Sequence, residues 1–205
     1  LLLSTSLKIC GEVVLRIHQN LLSRAADLLA IQKVYSHAQS LAQCHEWLNR
    51  MLPQAQRISV GSNAQAAQLA AAEPGAAAIA GEAAAVRYEL PKLAEKIEDE
   101  PNNTTRFLVL GRQDAGISGR DKTSLVMSTP NRTGALHDLL APLTAAGVSM
   151  CRLESRPARN ALWEYVFYVD IEGHRETPEI KTALAQLAAN AAYLKILGSY
   201  PTAVF

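Results

Sequence analysis

The apolar and polar positions along the chain predict two halves with different orders of secondary structure. In the first half, short apolar runs typical of strands alternate with stretches whose apolar residues recur at helical spacing. The predicted strands cover 12–19, 30–36, 56–61, 75–80 and 105–110, and the predicted helices cover 38–52, 62–71 and 81–90. Such an alternation predicts an α/β domain, in which helices cover a parallel or mixed sheet.

The second half predicts a different plan. Its elements, in order, are a strand at 122–128, a helix at 133–147, strands at 148–155 and 161–171, a helix at 177–191 and a strand at 193–201. This βαββαβ order within about 80 residues is the ferredoxin-like plan. Residues 111–121 hold three glycines and no apolar periodicity, which is typical of a linker. We therefore predict two domains, 1–112 and 113–205.

Composition narrows the classes of protein to consider. The 205 residues are 49% hydrophobic, which suffices for a packed core. A net charge of +1 gives no global field for binding nucleic acid or an anionic membrane. Three widely spaced cysteines predict neither a disulfide framework nor a zinc site, and no apolar run approaches a spanning helix. We expect a cytoplasmic protein without a metal, and the absence of an initiating Met suggests a piece of a longer chain.

Several motifs resemble one known family. "TGALHDLL" (133–140) and "RLESRP" (152–157), within a βαββαβ unit, resemble the amino-acid-binding ACT domain, and more narrowly the phenylalanine-sensing ACT domain of prephenate dehydratases. "NNTTRFLVLG" (102–111) resembles the Thr-Arg-Phe signature of those enzymes, and 33–44 and 77–90 resemble further stretches of their catalytic domain. The resemblance covers nearly the whole chain. It implies one lobe of a two-lobed, periplasmic-binding-protein-like α/β domain, followed by an ACT regulatory domain.

The resemblance implies a decarboxylative dehydration of prephenate to phenylpyruvate, a step of L-phenylalanine biosynthesis. Aromatisation drives this reaction, so it implies no metal and no cofactor. By the resemblance, Thr105 lies at the leaving hydroxyl, Arg106 neutralises a substrate carboxylate and Phe107 packs the cleft wall. Thr104 competes with Thr105 for the catalytic role. If the resemblance to the family is set aside, the sequence indicates only that Thr105 is a residue at the start of a strand that caps the preceding turn.

Three more residues are substrate-binding candidates. Ser62 and Asn63 precede or open a predicted helix, whose N-terminus favours a carboxylate. The family usually shows Ser-Thr-Ala where this chain has Ser-Asn-Ala, which keeps a polar group. An ordinary N-cap is the alternative for this pair. His37 follows a predicted strand and is consistent with either a cleft position or a capping role.

The predicted effector site follows from what a free amino acid presents. Its carboxylate needs N–H donors, which the helix start after Gly134 offers, and its ammonium needs acceptors such as strand-end carbonyls or Glu154. Leu136, Leu140 and Leu153 are candidates for a pocket around an aromatic ring. By the resemblance, one phenylalanine binds between two paired subunits of a homodimer or higher homo-oligomer, against Gly134, Ala135, Leu136 and His137 of one subunit and Leu153, Glu154, Ser155, Arg156 and Pro157 of its neighbour. The alternative is a helix-start glycine and a solvated hairpin turn in which Arg156 pairs with Glu154.

The chain departs from the family at its start. Members carry a preceding segment with Gly-Pro-x-Gly-Thr and Pro-x-Glu-Asn-Ser stretches, and neither occurs here. These stretches form the other wall of the cleft in the family, so we expect little turnover from the 205 residues alone. Two alternatives to a regulated enzyme follow. One is a catalytically incomplete module that senses an amino acid and dimerises, and the other, weaker, is a solute-binding protein.

Overall fold

A computed structural model describes residues 2–130, 132–158 and 165–204. The strands are β1 Lys8–Arg16, β2 Asn20–Ser23, β3 Lys33–His37, β4 Gln56–Val60, β5 Ala76–Ala80, β6 Lys92–Ala94, β7 Thr104–Gly111, β8 Asp121–Ser128, β9 Met150–Pro157, β10 Tyr165–Glu172 and β11 Tyr193–Pro201. The α-helices are α1 Ala38–Gln43, α2 His45–Met51, α3 Asn63–Ala72, α4 Glu82–Tyr88, α5 Ala135–Ala145 and α6 Pro178–Asn190. Two compact units divide the chain, one of residues 15–105 and the other of residues 1–14 with 106–205.

The unit of residues 15–105 is built on a five-stranded mixed sheet in the order β4-β3-β5-β2-β6. Strand β3 runs parallel to β4 and β5, whereas β2 runs antiparallel to β5 and β6. The central strand β5 is alanine-rich and fully buried. Ala78 and Ala80 face a core that includes Ala66, Ala67 and Ala70 of α3, because small side chains let this helix lie close to the sheet. This α/β unit confirms the predicted fold class of the first half.

The other unit holds a four-stranded antiparallel sheet in the order β11-β8-β10-β9. Helices α5 and α6 cover one face, where Leu139, Leu143 and Leu187 pack on Leu125 and Val169. On the opposite face Val126 and Tyr200 pack with Ile9 of β1 and Leu108 of β7. The element order β8-α5-β9-β10-α6-β11 confirms the predicted ferredoxin-like plan. Strands β1 and β7 pair as a two-stranded sheet, and each runs from one unit into the other.

The structure corrects several element boundaries. The predicted helix 38–52 is two helices, broken at Cys44, whose backbone is not helical. The second helix starts anew because the carboxylate of Asp99 accepts the backbone amides of Glu46 and Trp47 at 3.0 Å each. The strand predicted at 12–19 lies at Lys8–Arg16, and β2 and β6, of four and three residues, were not predicted.

Two corrections concern the regulatory motifs. Helix α5 begins at Ala135 with Gly134 as its N-cap, rather than opening at Thr133. The sequence 154–157 lies inside β9, paired with β10, and so the interpretation of these residues as a hairpin turn is wrong. The start of the strand predicted at 161–171 and part of the connection before it lie outside the described residues. No helix in the described ranges has the length and apolarity that a membrane span requires.

Candidate functional site

The start of α3 is joined to the end of β3 through the Asn63 side chain. Its Oδ1 accepts the Ser36 hydroxyl at 3.0 Å and the backbone amide of His37 at 3.1 Å, and its Nδ2 donates to Ser40 Oγ at 2.9 Å. Two of the predicted substrate-binding residues, His37 and Asn63, are thereby held together. Ser36 and Ser40 had not been singled out from the sequence, since no motif distinguishes them from ordinary serines.

The side chains of Ser62 and His37 both cap helices. Ser62 Oγ accepts the amide of Gln65 at 3.1 Å, and Gln65 Oε1 accepts the amide of Gly61 at 2.9 Å, an arrangement close to a capping box. The His37 ring accepts the amide of Gln39 at 3.3 Å at the start of α1. Both capping alternatives are therefore realised. Within the described residues, the amides of Asn63 and Ala64 have no acceptor, which leaves two donors at the positive end of a ten-residue helix.

A chain of amide side chains continues from Ser40 towards the end of the unit. Gln19 Nε2 donates to Ser40 Oγ at 3.3 Å and to Gln43 Oε1 at 3.2 Å, and Gln43 contacts the side chain of Asn103 at 3.4 Å. Gln19 is only 4% exposed, and its Oε1 has no partner among the described residues. These glutamines lie too far apart in sequence for any spacing to reveal them. The network ends two residues before Thr105.

Thr105 lies near the start of β7, and its side chain is exposed. Nothing in the described part of the chain hydrogen-bonds to its hydroxyl, so this group is available to a ligand. Along β7 the burial alternates, with Thr105, Phe107 and Val109 exposed and Arg106 and Leu108 partly buried. Phe107 is 50% exposed. Because successive side chains of a strand point to opposite faces, Thr105 and Phe107 share one face of β7 and Arg106 points to the other.

Arg106 is engaged by protein oxygens at each guanidinium nitrogen. Its Nε donates to Glu12 at 2.6 Å, one terminal nitrogen donates to Asp170 at 2.5 Å and the other to the Tyr200 hydroxyl at 2.6 Å. The structure therefore places the Arg106 side chain among three partners of its own unit, where a substrate carboxylate would have to displace them.

The partners of Arg106 are buried and mutually connected. The Glu12 side chain is fully buried, and it also accepts Lys122 Nζ at 2.8 Å. Burial by itself raises the pKa of Glu12, but the hydrogen bond from Lys122 and the positive charge of Arg106 outweigh burial and hold this pKa below its usual value. Burial raises the pKa of Tyr200 to about 12, so its hydroxyl stays protonated at neutral pH. The result is a balanced cluster of two carboxylates and two cations.

The start of α5 has the backbone that the effector hypothesis requires. Gly134 has φ +75°, a left-handed conformation that glycine adopts without a steric penalty. A Cβ at this position would meet no atom within 4 Å, so the space beside the helix start is open. Ala135 is buried against the sheet, Leu136 is half-buried and His137 is exposed, with its ring near the Asp138 carboxylate.

Strand β9 presents the other predicted effector residues at the edge of its sheet. Leu153 lies opposite Val169, on the face that α5 and α6 cover, and is 45% exposed. Glu154 and Arg156 lie on the other face, where Arg156 donates to Glu154 at 2.6 Å and its guanidinium carbon lies 5.1 Å from the centre of the Tyr168 ring. Ser155 and Pro157 are exposed on the same edge strand.

The faces of the sheet separate the charged residues of the predicted effector site from the helix start after Gly134, whereas Leu153 lies on the face that α5 covers. Helix α5, which starts after Gly134, packs on the face opposite to the Glu154 and Arg156 side chains. The hydrogen bond from Arg156 lowers the pKa of Glu154 below its usual value, so Glu154 is an anion at neutral pH and suits an ammonium. Leu140 belongs to the core beneath the helices. Within one chain, the Glu154 and Arg156 side chains therefore lie across the sheet from the helix start after Gly134. Among the described residues, no group of three or more His, Cys, Asp or Glu side chains is arranged to hold a metal ion.

Comparisons with known proteins agree over the whole chain. Residues 1–115 match the family model for prephenate dehydratase, and residues 123–189 match that for the ACT domain. A bifunctional chorismate mutase/prephenate dehydratase of Neisseria gonorrhoeae is 58% identical over 207 residues, which cover 100% of this chain and 57% of the relative. The chain thus spans little more than half the length of the curated relatives it matches.

Two solved structures are similar to this chain over most of its length. A prephenate dehydratase from Arthrobacter aurescens in complex with L-Phe has a TM-score of 0.86 at 33% identity, covering 97% of this chain and 67% of the other. GqqA, described as a novel type of quorum-quenching acylase, has a TM-score of 0.82 at 30% identity, covering 96% and 73%. Proteins with different described activities therefore share this fold.

Proposed function

Because the chain belongs to the prephenate dehydratase family, we propose that the protein containing it converts prephenate to phenylpyruvate, and that L-phenylalanine regulates it through the ACT domain. The observation that carries the proposal is the exposed hydroxyl of Thr105 in the Thr-Arg-Phe motif, to which no residue described by the structure hydrogen-bonds. As a carbon–oxygen lyase it acts in L-phenylalanine biosynthesis, in the cytoplasm. The catalytic part corresponds to residues 1–112 and the regulatory part to residues 113–205.

The reaction requires a hydrogen-bond donor or acid at the oxygen of the leaving ring hydroxyl. It also requires firm binding of a dianionic substrate. The bond from the ring to its carboxylate breaks, and its electrons complete the aromatic ring while the ring hydroxyl takes a proton and leaves as water. Thr105 donates a hydrogen bond to that leaving oxygen and orients it. The amides of Asn63 and Ala64, at the start of α3, bind a substrate carboxylate, with His37 beside them. No electron transfer occurs overall, so the chemistry itself calls for no redox cofactor.

The regulatory site forms between two copies of the chain. Gly134, Ala135, Leu136 and His137 lie at one helix start, whereas Glu154 and Arg156 project from the opposite face of the sheet, so one copy does not close over a ligand by itself. The proposed partner copy supplies Leu153, Glu154, Ser155, Arg156 and Pro157, in a homodimer or a higher homo-oligomer. The complex of the Arthrobacter aurescens relative with L-Phe supports the choice of effector.

The experiment measures phenylpyruvate formation by the protein at its full natural length. Thr105→Ala is expected to lower kcat by about 10²- to 10⁴-fold, the usual range for a lost acid or hydrogen-bond contribution. Thr105→Ser keeps the hydroxyl and retains most of the activity, and Thr104→Ala is the matched control on the neighbouring exposed residue. Assaying phenylpyruvate itself is necessary, since an acylase shares the fold.

The outcomes separate the candidate functions. Full activity of Thr105→Ala would show that Thr105 has no role at the leaving group. Absence of phenylpyruvate from the full-length protein, with L-phenylalanine still bound, would favour the alternative of an amino-acid-sensing and dimerisation module. The 205 residues alone are expected to bind L-phenylalanine and to give little turnover.

A further inference from the structure

A continuous row of charged side chains crosses the sheet of the regulatory unit, from the 154–157 motif to the Thr-Arg-Phe motif. Arg156 contacts Glu154 at 2.6 Å, and Glu154 contacts Arg152 at 2.5 Å on its other side. Arg152 reaches Asp170 at 4.0 Å, and Asp170 binds Arg106 at 2.5 Å. These five residues are called the charged row below. Charges alternate along it, so each member has an oppositely charged neighbour.

The register of the strands explains why the row is continuous. Arg152 lies directly opposite Asp170, and Glu154 lies opposite Tyr168, two residues along the same face of β10. All of these side chains project from the face away from α5 and α6. Arg106 reaches the same face from β7, where it also contacts Tyr200 of β11. The row therefore spans two strands of the sheet, β9 and β10, and reaches β7 of the two-stranded sheet.

The three outer side chains of the row, Arg156, Glu154 and Arg152, are more exposed than the two inner ones, Asp170 and Arg106. The side chain of Arg156 is 61% exposed and that of Arg152 is 45% exposed, whereas Asp170 is only 7% exposed. Exposed ion pairs contribute little net free energy and rearrange easily, while a buried pair resists the loss of either partner. A ligand can thus change the outer pairs at small cost, and a change at Asp170 also affects Arg106, because the Asp170 carboxylate contacts both Arg152 and Arg106.

The inner end of the row lies on the strand that carries Thr105. Thr105 directly precedes Arg106 in β7, and their side chains point to opposite faces. A change in the pairing of Arg106 with Asp170 therefore acts on the residue adjacent to Thr105 in β7. Proximity effects in catalysis are steep, and a misplacement of about 1 Å can cost about 10²-fold in rate.

We propose that Arg106 is a positioning residue for Thr105 rather than a ligand of a substrate carboxylate, and that Arg152 couples it to the effector motif. This proposal rests on the proposed function. When an amino acid binds beside β9, its ammonium competes with Arg152 for Glu154. Arg152 then turns towards Asp170, which weakens the hold of Asp170 on Arg106. Inhibition follows because Thr105 loses its position, with no contact between effector and substrate.

Arg152→Gln is the decisive variant, because Arg152 is half-exposed and its removal leaves the buried cluster intact. In the full-length protein, inhibition by L-phenylalanine is expected to weaken by at least about tenfold, within the range typical of allosteric coupling. Binding of L-phenylalanine to the substrate-free protein, measured by calorimetry, should change by less than about threefold. Arg120→Gln, at an exposed arginine outside the row, removes the same charge and should leave both quantities unchanged.

A second readout does not depend on turnover. Hydrogen exchange of the amides of β7 is expected to rise when L-phenylalanine binds the wild-type protein, and to stay unchanged in Arg152→Gln. Combining Arg152→Gln with Arg106→Lys tests whether the two act in one path: the double variant should show no further loss of inhibition beyond Arg106→Lys. Arg106→Lys itself should lower kcat more than it raises KM, as expected for positioning.

The results distinguish failure of this inference from failure of the proposed function. Wild-type protein that forms no phenylpyruvate or binds no L-phenylalanine would overturn both. Wild-type protein that does both, with Arg152→Gln inhibited normally, would overturn the coupling alone. Loss of L-phenylalanine binding in Arg152→Gln would make Arg152 an effector ligand and would also overturn it. A rise in KM without a change in kcat for Arg106→Lys would restore Arg106 as a substrate ligand.

Discussion

Replacing Arg106 with methionine tests how strongly the buried cluster holds β7 to the regulatory sheet. Methionine keeps much of the apolar stem but removes the donors to Glu12, Asp170 and Tyr200. Removing one partner of a buried ion pair costs about 3–5 kcal/mol, since it strands an uncompensated charge. Lys122 still neutralises Glu12, and Arg106 is 24% exposed, so we expect a loss of about 3 kcal/mol, at the lower end of that range.

The assay is urea unfolding of the 205-residue chain, followed by far-UV circular dichroism, with the midpoint and slope fitted separately. Hydrogen exchange in β8 and β10 reports which unit loses stability. Arg156→Met is the matched control: its side chain is 61% exposed and pairs with Glu154, and such an exposed pair contributes little to stability. If Arg106→Met lowers the free energy of unfolding by less than Arg156→Met does, the view that Arg106 anchors the strand is refuted. An unchanged midpoint with a changed slope would instead indicate that the unfolded state or the native state has become more or less compact.

Two further predictions concern acidity and the effector site. The pKa of Glu12 is lower in the folded state than its usual 4.5, so Glu12 stabilises the fold above that pH, and this contribution is lost as the pH falls through the folded-state value. Glu12→Gln should therefore be less stable than wild type at pH 7 and lose less stability on acidification; parallel urea midpoints of the two proteins between pH 7 and pH 3 would contradict this. Gly134→Ala should weaken L-phenylalanine binding at least about tenfold, because a methyl group occupies the open space beside the amides of α5, whereas strain at positive φ costs only about 1–2 kcal/mol of stability. Gly147→Ala is its control, since Gly147 also has positive φ and open space but follows the other end of α5, and equal losses of binding in both variants, measured by calorimetry, would show that strain alone is responsible.

Local sequence patterns predict the regulatory half of the fold well. Strands β8 and β11 and helices α5 and α6 lie within two residues of their predicted bounds, because alternation, a helix-start proline and terminal glycines mark them. Strands β2 and β6 are not predicted from the sequence, because four and three residues are too few to show a regular pattern of apolar and polar positions. They form through pairing: β2 pairs with β5 and with β6. The break at Cys44 escapes prediction for a similar reason, since the cap that starts α2 comes from Asp99.

The residues of the candidate sites also fall into those that the sequence reveals and those that only the structure reveals. Gly134, Ser62 and Asn63 are visible in sequence because helix starts have local chemistry, whereas Gln19, Gln43 and Asn103 meet only after folding. The partners of Arg106 lie 94 residues before it and 64 and 94 residues after it. No spacing rule covers such distances, so the sequence shows the arginine without showing the three protein groups to which it donates.

The alternation along β7 accounts for the three consecutive residue types of the Thr-Arg-Phe motif. Thr105 and Phe107 are exposed on one face, one with a hydroxyl that no described residue contacts and the other with an aromatic ring half in solvent. Arg106 projects from the other face into the cluster with Glu12 and Asp170. Lysine at position 106 would supply a single ammonium where three acceptors lie in fork geometry, which only a guanidinium satisfies. The motif therefore presents Thr105 and Phe107 on one face of β7 and anchors the strand through Arg106 on the other face.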